Sequence, residues 1–317
     1  ITAAMAGPTG LAKFGEKFPD RLFDVGIAEQ HATTSAAGLA LGGLHPVVAL
    51  YSTFMNRAFD QLLMDVGLLH LPVTLVLDRS GITGSDGASH NGVWDMSIAG
   101  IVPGMRLAAP RDDVRLRKQF NEAIEYENGP TIVRFPKGAL VPVIDAVDTL
   151  DGGIDVIYRS DRANRAQSIL IVSIGALAGE CVAAAKKLEE EGLAVDVIDP
   201  GWAIPVSPVI SELATSYDMV VTVEDGVLHG GVGSMIDTVC DENGVDTPVR
   251  IIAVPQKFLR HASRSEVLTD LGMDAEGIAE SIRTWSGISA EEENTTASVH
   301  FLRATGSSGA KGSIFKD

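Results

Sequence analysis

The sequence predicts an α/β protein made of two three-layer α/β domains, each with a mainly parallel sheet. Three observations point there. Short, largely apolar runs at 46–51, 73–78 and 131–135 suit strands covered on both faces. Segments of helical period lie between them, the alternation expected of a parallel sheet flanked by helices. The same alternation restarts at Ser168, after a stretch rich in Pro, Asp and Gly. At 317 residues the chain exceeds one typical core. We therefore expect a first domain over 1–140, a linker over 141–166, a second domain over 167–286 and a low-complexity tail over 287–317.

In chain order, Phe23, Val25 and Ile27 alternate as in a short half-buried strand. The small residues from Ala32 to Ala40, stopped by Gly42-Gly43, predict a tightly packed helix. Phe59, Leu62, Leu63, Val66 and Leu69 follow helical spacing within 56–69. Another helix is expected over 112–126, opened by Pro110 and Asp112 and closed by Asn128-Gly129-Pro130. The second domain reads as strand 168–174, helix 177–191, strand 194–198, helix 206–216, strand 219–224, a helix ending near Glu242, and strand 249–254. Gly230-Gly231-Val232-Gly233 lacks the full spacing of a dinucleotide fingerprint, so helix packing at a tight turn is the better account. Beyond Trp285 the chain turns to Glu, Ser, Thr, Gly and Ala, and is expected to be mobile or weakly ordered.

Charge excludes some partners. With 25 basic against 42 acidic residues the formal charge is −17, which argues against a nucleic-acid or anionic-membrane surface. A phosphorylated substrate would need a local basic pocket. No apolar run reaches membrane-spanning length, and no signal peptide is visible. Cys181 and Cys240 stand far apart, so a reduced cytoplasmic setting is expected, with a disulfide unsupported. The scattered histidines have no metal-ligand spacing, and no metal site is expected in this chain. The first residue is Ile1, from which we expect a fragment, a processed chain or a trimmed one.

Glu29 stands where a strand-like segment turns into the small-residue helix. Two physical accounts stay open. One is a first-turn acid that complements the helix dipole. The other is a carboxylate in the crevice at the carboxyl end of a parallel sheet, where open α/β folds bind ligands.

Three collinear segments carry a resemblance: 24–31 (Asp-Val-Gly-Ile-Ala-Glu-Gln-His), 51–61 (Tyr-Ser-Thr-Phe-Met-Asn-Arg-Ala-Phe-Asp-Gln) and 78–87 (Asp-Arg-Ser-Gly-Ile-Thr-Gly-Ser-Asp-Gly). Together they resemble the 1-deoxy-D-xylulose-5-phosphate synthases, thiamine-diphosphate enzymes of the transketolase superfamily. The likeness runs from Ile1 to about Trp285 and covers that family's pyrimidine-binding and C-terminal domains only. It implies decarboxylation of pyruvate and condensation of the two-carbon unit with D-glyceraldehyde 3-phosphate, a step toward isoprenoids, thiamine and pyridoxal. It also implies a homodimer.

The resemblance further implies roles. Glu29 would bond the pyrimidine nitrogen of thiamine diphosphate, promoting the imino form of the cofactor's own amine. Phe54, with Tyr51 just before it, would stack on that ring; alone, both would pass for core aromatics. Arg57 and Arg134 would grip the acceptor phosphate through planar donor forks, although Arg57 could equally be a solvated face residue. Asp86 and His90, in a glycine-rich loop after a strand, would contact substrate and assist proton movements; a backbone-bonded loop histidine is the plain alternative. Tyr51 could serve substrate too, and His31 could orient the pocket. The superfamily holds the diphosphate through Mg2+, with a Gly-Asp-Gly segment that this sequence lacks; Ser85-Asp86-Gly87 and Glu224-Asp225-Gly226 are poor substitutes. The metal's ligands are therefore expected in an N-terminal diphosphate-binding domain absent here, without which the chain should not turn over. Two rivals remain: a β-type subunit of a 2-oxoacid dehydrogenase or split transketolase, and an inactive dimerisation module.

Overall fold

The computed structural model describes residues 1–139, 141–161, 163 and 165–287. Beyond Gly287, the tail expected from the sequence lies outside the described residues. In the first half, α1 (Ala12–Lys17) and α2 (Glu29–Leu41) precede β1 (Val47–Tyr51), α3 (Ser52–Met55), α4 (Phe59–Gln61) and β2 (Thr74–Asp78). Then come α5 (Asp95–Gly100), β3 (Arg106–Ala108), α6 (Asp113–Glu125) and β4 (Thr131–Arg134). The second half runs β5 (Asp148–Thr149), β6 (Asp155–Tyr158), β7 (Ser168–Ile174), α7 (Ala178–Glu190), β8 (Ala194–Asp199), β9 (Trp202–Ile204) and α8 (Pro208–Ala214). It ends with β10 (Met219–Val227), α9 (Val232–Glu242), β11 (Val249–Val254), α10 (Arg264–Asp270) and α11 (Ala275–Ser286).

One sheet has the order β1-β2-β4-β3-β9, parallel except for β9. The other has the order β11-β10-β7-β8-β6-β5, parallel from β11 to β8 and antiparallel beyond. Every residue of β10 and all but the first of β7 are buried, as strands of a parallel sheet covered on both faces should be. In α2 the buried face is Ala32, Thr33, Ala36, Ala37 and Ala40, small side chains that let the helix sit close. One hydrophobic cluster joins Leu50, Leu75 and Ile132 of the first sheet to Leu170, Val172 and Ile236 of the second half, so the two units share a core.

Four local expectations are revised. The segment around Phe23 is not a sheet strand but an extended bridge to the amino terminus: Thr2 N donates to Phe23 O (2.9 Å) and Val25 N to Thr2 O (3.0 Å). Asp24 ends it by accepting from the amides of Ala4 and Gly26, and Gly26 turns the chain at φ +72°. The helix expected over 56–69 begins at Ser52 and is broken into α3, a 3-10 turn at Asn56–Ala58, α4 and a π-helical stretch at Leu62–Gly67. The segment expected as a linker holds β5 and β6, which extend the second sheet. The chain after Ile198, expected to stay in the second unit, sends β9 to the edge of the first sheet.

The glycine run does serve packing. Gly233 abuts Thr222 and Ile251 so closely that a Cβ would collide with both, and the amides of Val232 and Gly233 donate to buried Glu224 (3.0 and 2.8 Å). Cys181 and Cys240 are free and buried.

Candidate functional site

Glu29 is the first residue of α2, 2% exposed, and its Oε2 is buried without a hydrogen bond. Arg57 Nε lies 3.3 Å from that oxygen, an ion pair whose geometry falls short of a hydrogen bond. The guanidinium is half-exposed, on the 3-10 turn that follows α3. The broken helix therefore brings Arg57 over the carboxylate, while His31, two residues on, is exposed. A buried carboxylate oxygen without a full partner is costly to keep, and it suits an N–H presented from outside, such as that of a protonated ring nitrogen.

A second group lies at the carboxyl ends of β1 and β2. The Tyr51 and Phe54 rings stack at 5.8 Å and 10°, and His90 meets Phe54 edge-on at 5.6 Å. Arg79 crosses the other aromatic, its Cζ 3.9 Å from the Tyr51 centroid, a cation–π contact. Its φ of +57° is uncommon for a residue with a side chain and aims the chain at this point. Arg79 pairs with Asp78 (3.2 Å) and Asp86 (3.4 Å), and Lys137 Nζ donates to Asp86 Oδ1 at 2.5 Å. The bond from Lys137 holds the Asp86 carboxyl below its ordinary range, whereas burial raises that of Asp78. Burial likewise raises the Tyr51 phenol, although Arg79 works against it. A cavity of about 480 Å³ opens beside Arg79 and Lys137, with Asp78, Phe135 and Pro136 in its wall.

The chain matches the transketolase pyrimidine-binding domain over residues 1–142 and the transketolase C-terminal domain over 160–278. It is 61% identical over 285 residues to a 1-deoxy-D-xylulose-5-phosphate synthase of Rhodococcus jostii, covering 90% of this chain and 44% of that one. A Corynebacterium glutamicum synthase is 60% identical over 286 residues, covering 90% and 45%. This chain is a homologue of the 1-deoxy-D-xylulose-5-phosphate synthases. It spans less than half the length of these synthase relatives. Among solved structures, a protein described as a split-gene transketolase, an inactive β4 tetramer, superposes with a TM-score of 0.77 at 26% identity, covering 90% of this chain and 91% of that one. A transketolase from Campylobacter jejuni gives 0.74 at 17% identity, over 89% and 43%, a likeness of fold alone.

Within this synthase homologue, the residues singled out from sequence divide. Glu29 joins Arg57; Tyr51, Phe54 and His90 form one aromatic cluster; Asp86 lies beside it through Arg79. Arg134, expected as a phosphate grip, lies elsewhere. Its side chain is 3% exposed, donating to Asp95 (2.8 Å) and to Asp225 of β10 (2.9 Å). Burial opposes its charge, but these two carboxylates more than offset that and raise its pKa. It is a buried tie between the two halves. The basic residue that does reach the site is Lys137, past the end of β4, together with Arg79, past the end of β2. Arg79 stood in the quoted 78–87 segment and Lys137 in none of the three; the signal that finds both is position, since ligands meet parallel sheets just beyond the strand ends.

Proposed function

We propose that this chain supplies the pyrimidine-binding part of an enzyme that decarboxylates pyruvate on thiamine diphosphate and joins the two-carbon unit to D-glyceraldehyde 3-phosphate, yielding 1-deoxy-D-xylulose 5-phosphate. The observation that carries this reading is Glu29: a carboxylate oxygen buried without a hydrogen bond at a helix start, in a chain whose relatives are such synthases. When bound, thiamine diphosphate supplies the electron sink for decarboxylation. Glu29 would hold the pyrimidine nitrogen, with Arg57 yielding the carboxylate as the ring arrives. Phe54 and Tyr51 offer aromatic faces to cover it. Arg57, Arg79 and Lys137 would gather the acceptor phosphate, in a chain whose overall charge otherwise repels it. His90 and Asp86 would orient the acceptor's polar groups and move protons there. The diphosphate and its Mg2+ would be held by a further polypeptide segment or subunit, the whole acting as a cytoplasmic homodimer.

The test combines this chain with the diphosphate-binding part of the Rhodococcus relative and follows carbon dioxide release from pyruvate with glyceraldehyde 3-phosphate as acceptor. Turnover that Glu29→Ala abolishes supports the reading; full turnover in Glu29→Ala refutes it. One observation favours a second reading: the likeness covers nearly the whole of a split-gene transketolase chain. A split transketolase would use a ketose phosphate donor and release no carbon dioxide, so the same assay separates the two.

A further inference from the structure

The loop over 81–92 carries Asp86 and His90, yet much of what holds it belongs to the other half of the molecule. Its ends pair through Gly81 N to Gly92 O (2.7 Å) and Gly92 N to Gly81 O (2.8 Å), and Thr83 N donates to Asn91 Oδ1 (2.8 Å). Ile82 and Val93 are buried in the hydrophobic cluster of the second half, with Val223, Val254 and Leu259. Arg264, the first residue of α10, donates through Nη1 to Ile82 O at 2.6 Å and through Nη2 to Asp225 Oδ2 at 3.2 Å. Gly84, at φ +76°, lies so near the backbone of 262–264 that a Cβ would overlap it. Gly87 faces His261, and Gly81 faces the Asp225 carboxylate. Asp225 in turn holds Arg134.

We propose that Arg264 is a positioning residue through which the C-terminal domain sets the loop that presents Asp86 and His90 to the acceptor. Its guanidinium is fixed on one side by a buried carboxylate of β10 and spends its other donor on the first turn of the loop. Loop and second sheet therefore move as one body. The catalytic consequence rests on the function proposed above; the clamp itself rests on the fold alone.

Hydrogen exchange on the chain decides the clamp without any assay of activity. In Arg264→Met, peptides covering 81–93 should exchange about tenfold faster, the loss of roughly one charge-assisted hydrogen bond, while β7 and β10 peptides stay within about twofold. Arg264→Lys, which keeps the cation and one donor, should fall between and serves if the methionine variant does not fold. Unchanged loop exchange, or equal acceleration throughout both sheets, overturns the proposal. In the reconstituted enzyme the same variants should raise the KM for glyceraldehyde 3-phosphate several-fold and leave that for pyruvate unchanged. Faster loop exchange with an unaltered acceptor KM overturns the positioning role. If the unsubstituted chain shows no turnover, the function reading fails and the exchange result alone decides the clamp.

Discussion

Arg79 and Lys137 both rest on Asp86, a local reservoir of positive charge in a chain of charge −17. Removing either cation should weaken the acceptor before it touches anything else: Arg79→Met or Lys137→Met is expected to raise the KM for glyceraldehyde 3-phosphate about tenfold, the scale of one charge-assisted bond, with the KM for pyruvate unaltered in steady-state kinetics. Glu224 gives a pH signature. Burial pushes its carboxyl up to about 7, despite the amides of Gly233 and Val232, against an ordinary value of 4.5. The folded chain thus binds this proton more tightly than the unfolded chain. Its contribution to stability is fully present below the ordinary value and is lost as pH rises through about 7. Between pH 5.5 and 8 the melting temperature of the wild type should therefore fall more than that of Glu224→Gln, measured by differential scanning calorimetry.

At the scale of elements, the broken segment from α3 to the π-helical stretch decides where the site's side chains go. A regular helix over 56–69 would carry Arg57 around by 100° steps, whereas the 3-10 turn at Asn56–Ala58 leaves it over Glu29. The start of α6 is an equally local device. Asp112 accepts from Arg115 N (2.9 Å), capping the helix, and from Ile144 N (3.2 Å), and lies 3.3 Å from Arg111. Asp112→Ala loses the cap and leaves two part-buried amides short, which should cost about 2 kcal/mol in urea unfolding.

Across the whole molecule, two buried charge clusters tie the halves together. Arg134 joins Asp95 to Asp225, and Arg111 joins Asp155 (2.7 Å) and Asp199 (2.5 Å), with Arg115 also on Asp155. Such pairs add little net stability when intact but are expensive to break, because the abandoned partner stays buried and charged. Arg134→Met strands Asp95 and leaves Asp225 with Arg264 alone, and should destabilise the chain by about 3–5 kcal/mol, splitting a single calorimetric transition into two as the halves uncouple. β9 and the shared apolar cluster act in the same sense, which is why the unit boundary does not behave as a loose linker.

Much of this was legible from one dimension. Apolar runs and helical periods located β1, β2, β4, β7, β8, β10 and β11 with the helices α2, α6, α7, α8 and α9, because burial on both faces of a parallel strand favours apolar residues whatever the partner. The family likeness offered Glu29, Tyr51, Phe54, Arg57, Asp86 and His90 as candidates. Short or edge elements stayed hidden: β3, β5, β6 and β9 hold two to four residues each, too few to show a period, and are ordered by the sheet edges they join. Arg134 and Lys137 stand three residues apart in one run, and local sequence cannot tell which faces a ligand. Tertiary structure separated them: Arg134, inside β4, meets two carboxylates brought in by α5 and β10, while Lys137, past the strand end, reaches Asp86. The chain's own code thus set which segments are buried; only the folded contacts, at long separation along the chain, decided which charges are consumed in the core and which are left to act.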